Sequence, residues 1–192
     1  AALGIVGLGH VGRRVARLAA AFDMKVLAFD PLLTAQQINE RGAEPVSFDE
    51  LLKRSDIVTV HCPRDATTMG MFDMNAFQSM KQGAYFLNTA RGGIHRQEAL
   101  LTALESGQIA GAGLDVWDVE PPALDDPLLQ HPRVIGTYHC AGVTEHSRRR
   151  MAQWAADQLI GMLVRGETPP RMVNPEVWPS VKAKIPKRTK PS

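Results

Sequence analysis

Apolar residues along this chain come in short blocks that alternate with amphipathic stretches. The blocks are Leu3-Gly4-Ile5-Val6-Gly7, Lys25-Val26-Leu27-Ala28-Phe29, Ile57-Val58-Thr59-Val60, Ala84-Tyr85-Phe86-Leu87, residues 110–114 and Val134-Ile135. Each is short and lacks polar alternation, which is the pattern of a strand buried on both faces. Between the first two blocks Val11, Val15, Leu18 and Phe22 recur at helical spacing. A short helix is expected over residues 34–41. Ser47, with Glu50 three residues on, reads as a capped helix start. Another helix is expected from Gln97 to Glu105, ending at Gly107. The longest, over residues 145–165, puts Met151, Trp154, Ala155, Leu159, Met162 and Leu163 on one face and closes at Gly166. Beyond Thr168 proline and lysine dominate, and the chain reads as irregular.

Strand–helix alternation of this kind implies an α/β fold, a Rossmann-type doubly wound parallel sheet covered on both faces. The small residues of block 110–114 require something to pack close against it. The expected division is a nucleotide-binding domain over residues 1–167 and a C-terminal segment over 168–192. Size allows one ordinary domain. A formal charge of +2 over 192 residues does not by itself argue for nucleic acid. The positive excess gathers late, in Lys182, Lys184, Lys187, Arg188 and Lys190, and a basic tail of this kind is expected to be solvated and disordered. Two cysteines are too few for a disulfide framework. Neither a membrane span nor a secretory signal is visible, so a soluble cytoplasmic protein is expected. No spacing of histidine, cysteine or acid suggests a metal site.

Gly7-Leu8-Gly9-His10-Val11-Gly12 follows the first strand and opens the first helix. A lone G-x-G-x-x-G is weak, but this is the context the motif requires. Gly7 permits the tight turn, Gly9 lets backbone approach a pyrophosphate, and Gly12 lets helix and strand pack closely. Free N–H groups at the helix start then face the phosphates. Asp30 ends the second strand, where an acid can bond the hydroxyls of an adenosine ribose. It would repel a 2′-phosphate, and residues 31–33 supply no arginine or lysine to rescue one. NAD is therefore the expected cofactor.

Four further residues follow strands and so fall on the ligand side of such a sheet. Arg91 lies in Asn88-Thr89-Ala90-Arg91-Gly92-Gly93; its guanidinium can grip a carboxylate in a bidentate fork and polarise the adjacent carbonyl. Leu114-Asp115-Val116-Trp117-Asp118-Val119-Glu120-Pro121-Pro122 holds three acids, with Asp115 at the strand end and Glu120 fixed by two prolines. His139, in Thr137-Tyr138-His139-Cys140-Ala141-Gly142, can exchange a proton with a forming alkoxide, and Glu120 can orient its ring. Any one of these residues alone has a bland reading as a loop side chain. His10 and His61 lie toward the cofactor and are not the expected proton donor.

Taken in order, GLGHVG, FDP, HCP, NTARGG, GLDVWDVEPP, YHCAG and NPEV resemble the nucleotide-binding part of the D-isomer-specific 2-hydroxyacid dehydrogenases. The resemblance runs from Leu3 to about Val177. It implies that Arg91 binds substrate, that His139 is the acid/base and that Glu120 is its partner. It implies that Asp115 bonds the nicotinamide carboxamide. The remaining cofactor-site positions it points to are His10, Val11, Cys62, Pro63, Thr68, Thr89, Ala90, Ala141 and Gly142, with Arg91 and His139 also beside the cofactor. Members of the family act on small 2-hydroxy or 2-keto acids, and a homodimer is implied.

Several positions depart from the family pattern. Tyr138 stands where proline is usual, His95-Arg96 where Val-Asp is frequent, and Arg64-Asp65-Ala66 where Leu-Thr-Pro often follows Cys62-Pro63. Arg96 opposes the dipole of the helix it starts, so that helix is expected to fray or the arginine to serve another contact. Glu120 argues against the formate dehydrogenase branch, which has glutamine there. Family members carry a further stretch before the first strand that forms most of the substrate domain, so the chain reads as a fragment or partial product of such an enzyme. The leading expectation is an oxidoreductase moving a hydride between NAD(H) and a 2-keto acid. The alternatives are an NAD(H)-sensing corepressor-like protein of the same fold, which has no need of an acid/base pair, and a redox protein using a flavin.

Overall fold

The structure is a computed structural model that describes residues 1–170 and 172–184. The strands are β1 (Ala2–Val6), β2 (Lys25–Phe29), β3 (Glu44–Pro45), β4 (Ile57–Val60), β5 (Ala84–Asn88), β6 (Ile109–Leu114) and β7 (Val134–Gly136). The helices are α1 (Gly12–Ala21), α2 (Ala35–Glu40), α3 (Phe48–Arg54), α4 (Met74–Ser79), α5 (Gln97–Glu105), α6 (Glu145–Arg165) and α7 (Trp178–Lys184). All strand pairs are parallel, in the order β3-β2-β1-β4-β5-β6-β7. The expected doubly wound sheet is therefore what forms. The order reverses between β1 and β4, and the crevice beyond their C-terminal ends is where such sheets bind ligands.

Alternate strand residues point to opposite faces, and the core divides accordingly. Val6, Val58, Val60, Phe86 and Leu114 join one cluster with Phe72, Phe77 and Leu100. Leu3, Ile5, Val26 and Ala28 join another with Leu8, Ala16 and Ile38. Phe72 anchors the first, with ring centroids 4.9 Å from Phe86 and 5.3 Å from Phe48. The small residues of β6 answer a close approach: a Cβ on Gly113 would fall 2.8 Å from Leu87 Cδ2, and one on Gly111 3.2 Å from the Tyr85 ring.

Capping is local and reciprocal. Ser47 accepts from the Glu50 N–H while Glu50 accepts from Ser47, starting α3; Thr34 and Gln37 do the same for α2. Two elements escape the periodicity. Six-residue α4 is too short to show a helical period, though Asp73 caps it by accepting from the Ala76 N–H at 2.9 Å. Two-residue β3 is recognisable only from its pairing with β2.

The expectation of fraying at Arg96 resolves toward a contact. Helix α5 forms over its full expected length, and the guanidinium lies against Gly70, where a Cβ would come 2.6 Å from Arg96 Nε. Backbone bonds from Gly70 to Gly93 (2.8 Å), Phe72 to Ile94 (3.2 Å) and Arg96 to Phe72 (3.0 Å) stitch the two segments together.

The chain divides after Ala141 into two compact units. In the second, α6 is capped by Thr144 and closed by Gly166 at φ 66°. The irregular C-terminal segment is corrected in part. Pro175 opens a 3-10 turn (Pro175–Val177) that leads into α7, and Trp178 Nε1 donates to Thr168 Oγ1 at 3.0 Å. Proline starts helical structure here, because a first-turn position has no N–H to lose. The Lys187, Arg188 and Lys190 part of the basic tail lies outside the described residues.

Candidate cofactor and active site

Turning sharply after β1, the glycine loop uses its three glycines in different ways. Gly7 has φ 91°, and a Cβ there would meet Cys62 N at 2.6 Å. A Cβ on Gly12 would meet Gly7 O at 2.1 Å, so helix and loop need that glycine to close. Gly9 has no protein atom within 4 Å of a Cβ position and faces open space. Of the three, only Gly9 leaves open space at its Cβ position, which fits a backbone that a pyrophosphate can approach. Val11 is exposed at the start of α1, and His10 Nδ1 pairs with Arg13 Nη2 at 3.0 Å.

Asp30 does more than face the loop. Its Oδ2 accepts from the Leu8 N–H at 2.8 Å and Oδ1 from the Leu32 N–H at 3.0 Å, and Arg41 donates to Leu8 O at 2.6 Å. A cavity of about 540 Å³ opens beside it, lined by Gly7, Gly9, Asp30, Cys62, Pro63 and Thr68 among others. Its walls include Phe29, Leu32, Phe48 and Met71, a setting for a flat heterocycle. Thr68 donates to Pro63 O at 2.7 Å and so shapes the rim. The Cys62 thiol is pushed up to about 11 by burial and stays protonated.

Beside it a second cavity is lined by Val11, His61, Cys62, Arg64, Thr89, Ala90 and Arg91. A third reaches Asp115, Thr137 and Ala141 at the ends of β6 and β7. His61 borders all three; burial lowers its pKa, and Thr59 Oγ1 lies 3.1 Å from Nε2, so it offers a neutral ring to a ligand.

Three loops meet beyond β5, β6 and β7. Backbone contact joins the first two: a Cβ on Gly92 would fall 1.9 Å from Trp117 O, and Asp118 Oδ1 accepts from the Gly93 N–H at 2.7 Å. Buried Trp117 then donates from Nε1 to Thr137 O at 2.8 Å, tying in the third. Glu120 turns back so that Oε1 accepts from the Trp117 N–H at 3.1 Å and Oε2 lies 2.7 Å from His139 Nδ1. That pairing puts a proton on Nδ1 and leaves Nε2 free for exchange. The His139 contact, then the Trp117 N–H, hold the Glu120 carboxyl below its usual range, with a lesser pull from the Arg91 charge.

Asp115 is almost fully buried. It accepts from Thr137 Oγ1 at 2.5 Å, the Cys140 N–H at 2.8 Å and the Ala141 N–H at 2.9 Å, and its own carbonyl accepts from the His139 N–H at 2.7 Å. Burial works to raise its pKa, but these bonds and the nearby His139 more than offset that, and the carboxyl is lowered. The histidine loop is thus pinned by Asp115, a role the residue pattern did not reveal. Asn88, Thr59 and Trp117 were also missed as organisers. For Asn88 there was a signal: asparagine is disfavoured in strands, and at a strand end its amide is free to bond loop backbone.

The structure therefore gathers Gly7, Gly9, Gly12, Asp30, Cys62, Pro63, Thr68, Thr89, Ala90, Arg91, Asp115, Glu120, His139 and Ala141 along one edge of the sheet, while Gly142 begins the second unit. Among the described residues no group of three or more His, Cys, Asp or Glu could hold a metal ion, and no helix is long and apolar enough to cross a membrane.

Comparison with known proteins agrees with this geometry. Residues 1–141 match the family described as D-isomer specific 2-hydroxyacid dehydrogenase, NAD binding domain. The chain is 43% identical over 175 residues to a glyoxylate reductase of Korarchaeum cryptofilum, covering 91% of this chain and 52% of that protein. It is 42% identical over 158 residues to the D-3-phosphoglycerate dehydrogenase of Bacillus subtilis, covering 82% of this chain and 30% of that protein. It superposes on D-lactate dehydrogenase with NAD+ from Lactobacillus jensenii with a TM-score of 0.82 and 33% identity, over 90% of this chain and 55% of that one. The chain thus spans about half or less of the length of the curated relatives it matches. A glycine loop braced by an acid just past β2, in a chain that also forms a histidine–glutamate pair, is in keeping with these likenesses, and the chain belongs to the NAD-binding domain of the D-isomer specific 2-hydroxyacid dehydrogenases.

Proposed function

We propose that this chain carries the cofactor face and the proton-transfer pair of an NAD-dependent oxidoreductase acting on small 2-hydroxy or 2-keto acids. The observation that carries the reading is the 2.7 Å contact of His139 Nδ1 with Glu120 Oε2, on loops packed against the one that holds Arg91. Gly7, Gly9, Gly12, His10 and Val11 would receive the pyrophosphate, Asp30 the adenosine ribose, and Cys62, Pro63, Thr68, Thr89, Ala90, Ala141 and Gly142 would border the rest. When bound, the nicotinamide supplies the two-electron transfer to or from the substrate carbon. Arg91 grips the substrate carboxylate in a bidentate fork and polarises the neighbouring carbonyl. His139 gives its Nε2 proton to the carbonyl oxygen as negative charge develops there, and takes it back in the reverse direction. Glu120 keeps the ring oriented and favours the imidazolium before transfer. Asp115, besides pinning the loop, would bond the nicotinamide carboxamide.

A sensor that only binds the nucleotide has no use for an oriented acid/base pair, so the enzyme reading is preferred. Residues 1–167 are read as the NAD-binding domain and 168–192 as a segment that completes the substrate domain. A cytoplasmic homodimer is part of the same reading. The test is NADH oxidation with glyoxylate, hydroxypyruvate and larger 2-keto acids on the full-length protein. Turnover lost on His139→Ala supports the proposal; turnover of no 2-keto acid by a folded, NADH-binding protein rejects it.

A further inference from the structure

His95 is a departure from the family pattern, and it is fully buried beneath the loop that carries Arg91. Its Nδ1 lies 3.0 Å from Asn88 Nδ2. Asn88, also fully buried at the end of β5, makes two further bonds: Nδ2 donates to Arg91 O at 3.0 Å, and Oδ1 accepts from the Ala90 N–H at 2.9 Å. These two partners fix which way round the amide sits. Arg91 O can only accept and Ala90 N–H can only donate, so Asn88 must turn its NH₂ toward Arg91 O and hence toward His95. The ring nitrogen it meets must then be an unprotonated acceptor. The ring proton is left on Nε2, a buried atom with no hydrogen-bond partner among the described residues. Phe86, with its ring centroid 5.5 Å away, and the Asp118 charge complete the surroundings of the imidazole.

Such an arrangement is selective. Valine or isoleucine at position 95 would leave one Asn88 N–H unpaired, and a doubly protonated ring would set donor against donor. Of the ring's protonation states, only the neutral Nε2–H form closes the Asn88 bonds. Position 95 is itself held, since Phe72 N–H donates to Ile94 O at 3.2 Å and Arg96 N–H to Phe72 O at 3.0 Å.

We propose that His95 is a positioning residue for Arg91: as a neutral acceptor it locks the Asn88 amide, and the locked amide sets the Thr89-Ala90-Arg91 turn that aims the guanidinium. The inference rests on the reading of Arg91 as substrate anchor. Two variants separate its parts. His95→Leu fills the space without an acceptor, and His95→Gln returns an acceptor oxygen.

Long-range ¹H–¹⁵N NMR at neutral pH should find the His95 proton on Nε2, with Nδ1 bare. The Asn88 side-chain NH₂ should exchange slowly with solvent, faster in His95→Leu, and slowly again in His95→Gln. Oxamate, a 2-keto-acid analogue, titrated into the NADH complex should shift the Arg91 Nε–H resonance. His95→Leu should need roughly tenfold more oxamate, about one hydrogen bond's worth, while its NADH affinity stays within about twofold and His95→Gln recovers the loss. A proton found on Nδ1, or an Asn88 amide and oxamate response unchanged in His95→Leu, overturns the role of His95. If oxamate leaves Arg91 unmoved in the unmutated protein, the anchor role fails instead, and the NMR of Asn88 still decides whether His95 locks the amide.

Discussion

His139 holds Nδ1 2.7 Å from Glu120 Oε2 while its own backbone sits in the left-handed region, at φ 51°. A non-glycine residue there costs on the order of 1–3 kcal/mol and persists only when its surroundings over-determine it. Asp115 provides the constraint, accepting from the His139, Cys140 and Ala141 N–H groups through its carbonyl and carboxylate. The ring is therefore aimed by backbone as well as by glutamate.

In the full-length enzyme, Glu120→Gln keeps an acceptor for Nδ1–H but removes the charge that favours imidazolium. Reduction of a 2-keto acid needs the protonated ring, so its rate should begin to fail at lower pH in the variant. His139→Ala should cost about 10²–10⁴-fold in kcat. A pH–rate profile identical in Glu120→Gln and the unmutated enzyme would reject the pairing.

Arg91→Lys retains charge and loses the planar fork. The KM for a 2-keto acid should rise by about 10-fold or more, a change of at least one charge-assisted hydrogen bond, with a much smaller change in NADH affinity. The opposite split would make Arg91 a cofactor residue.

Asp30 should set the choice between NAD(H) and NADP(H). Because its carboxylate also accepts from Leu8 and Leu32 N–H, Asp30→Ala should weaken both cofactors. The informative quantity is the ratio of the two dissociation constants, which falls when the charge that repels the 2′-phosphate is gone. Calorimetric titration of both cofactors measures it, and an unchanged ratio contradicts the assignment.

Buried His95 should make stability depend on pH in a definite window. Burial lowers its pKa from 6.5 to about 4, so the folded state holds it neutral while the unfolded chain binds a proton below 6.5. Its contribution is complete above pH 6.5 and is lost as pH falls toward 4, reaching on the order of 3 kcal/mol. Urea midpoints across that range should fall less steeply with acid in His95→Leu than in the unmutated protein. Parallel pH dependence in the two would count against it.

The sheet and most of the helices could be read from the sequence because they depend on local pattern. Buried parallel strands are short apolar runs, and Ser47–Glu50 advertises its own helix start. The organisation of the site could not be read so well, because it is made by contacts distant in sequence. Asp115 looks like a ligand residue at a strand end, yet its carboxylate bonds span 22 to 26 residues to Thr137, Cys140 and Ala141. His95 reads as an oddity beside Arg96, and only the fold places it against Asn88. Helix α7 was lost to the presence of proline, although proline at a first turn starts helical structure as readily as it breaks it elsewhere.

The glycine loop is shaped for a dinucleotide, and Gly9 allows this to be tested without harming the fold. No protein atom lies within 4 Å of a Cβ there, whereas a Cβ at Gly7 or Gly12 would strike backbone at 2.6 or 2.1 Å. Fluorescence titration with NADH, run beside a thermal melt on Gly9→Val, is the direct measurement. Saturable binding by the unmutated chain is predicted, lost in Gly9→Val at a nearly unchanged melting temperature. A folded chain that fails to bind NADH, or a Gly9→Val variant that binds it equally well, would mean that the loop does not receive the dinucleotide.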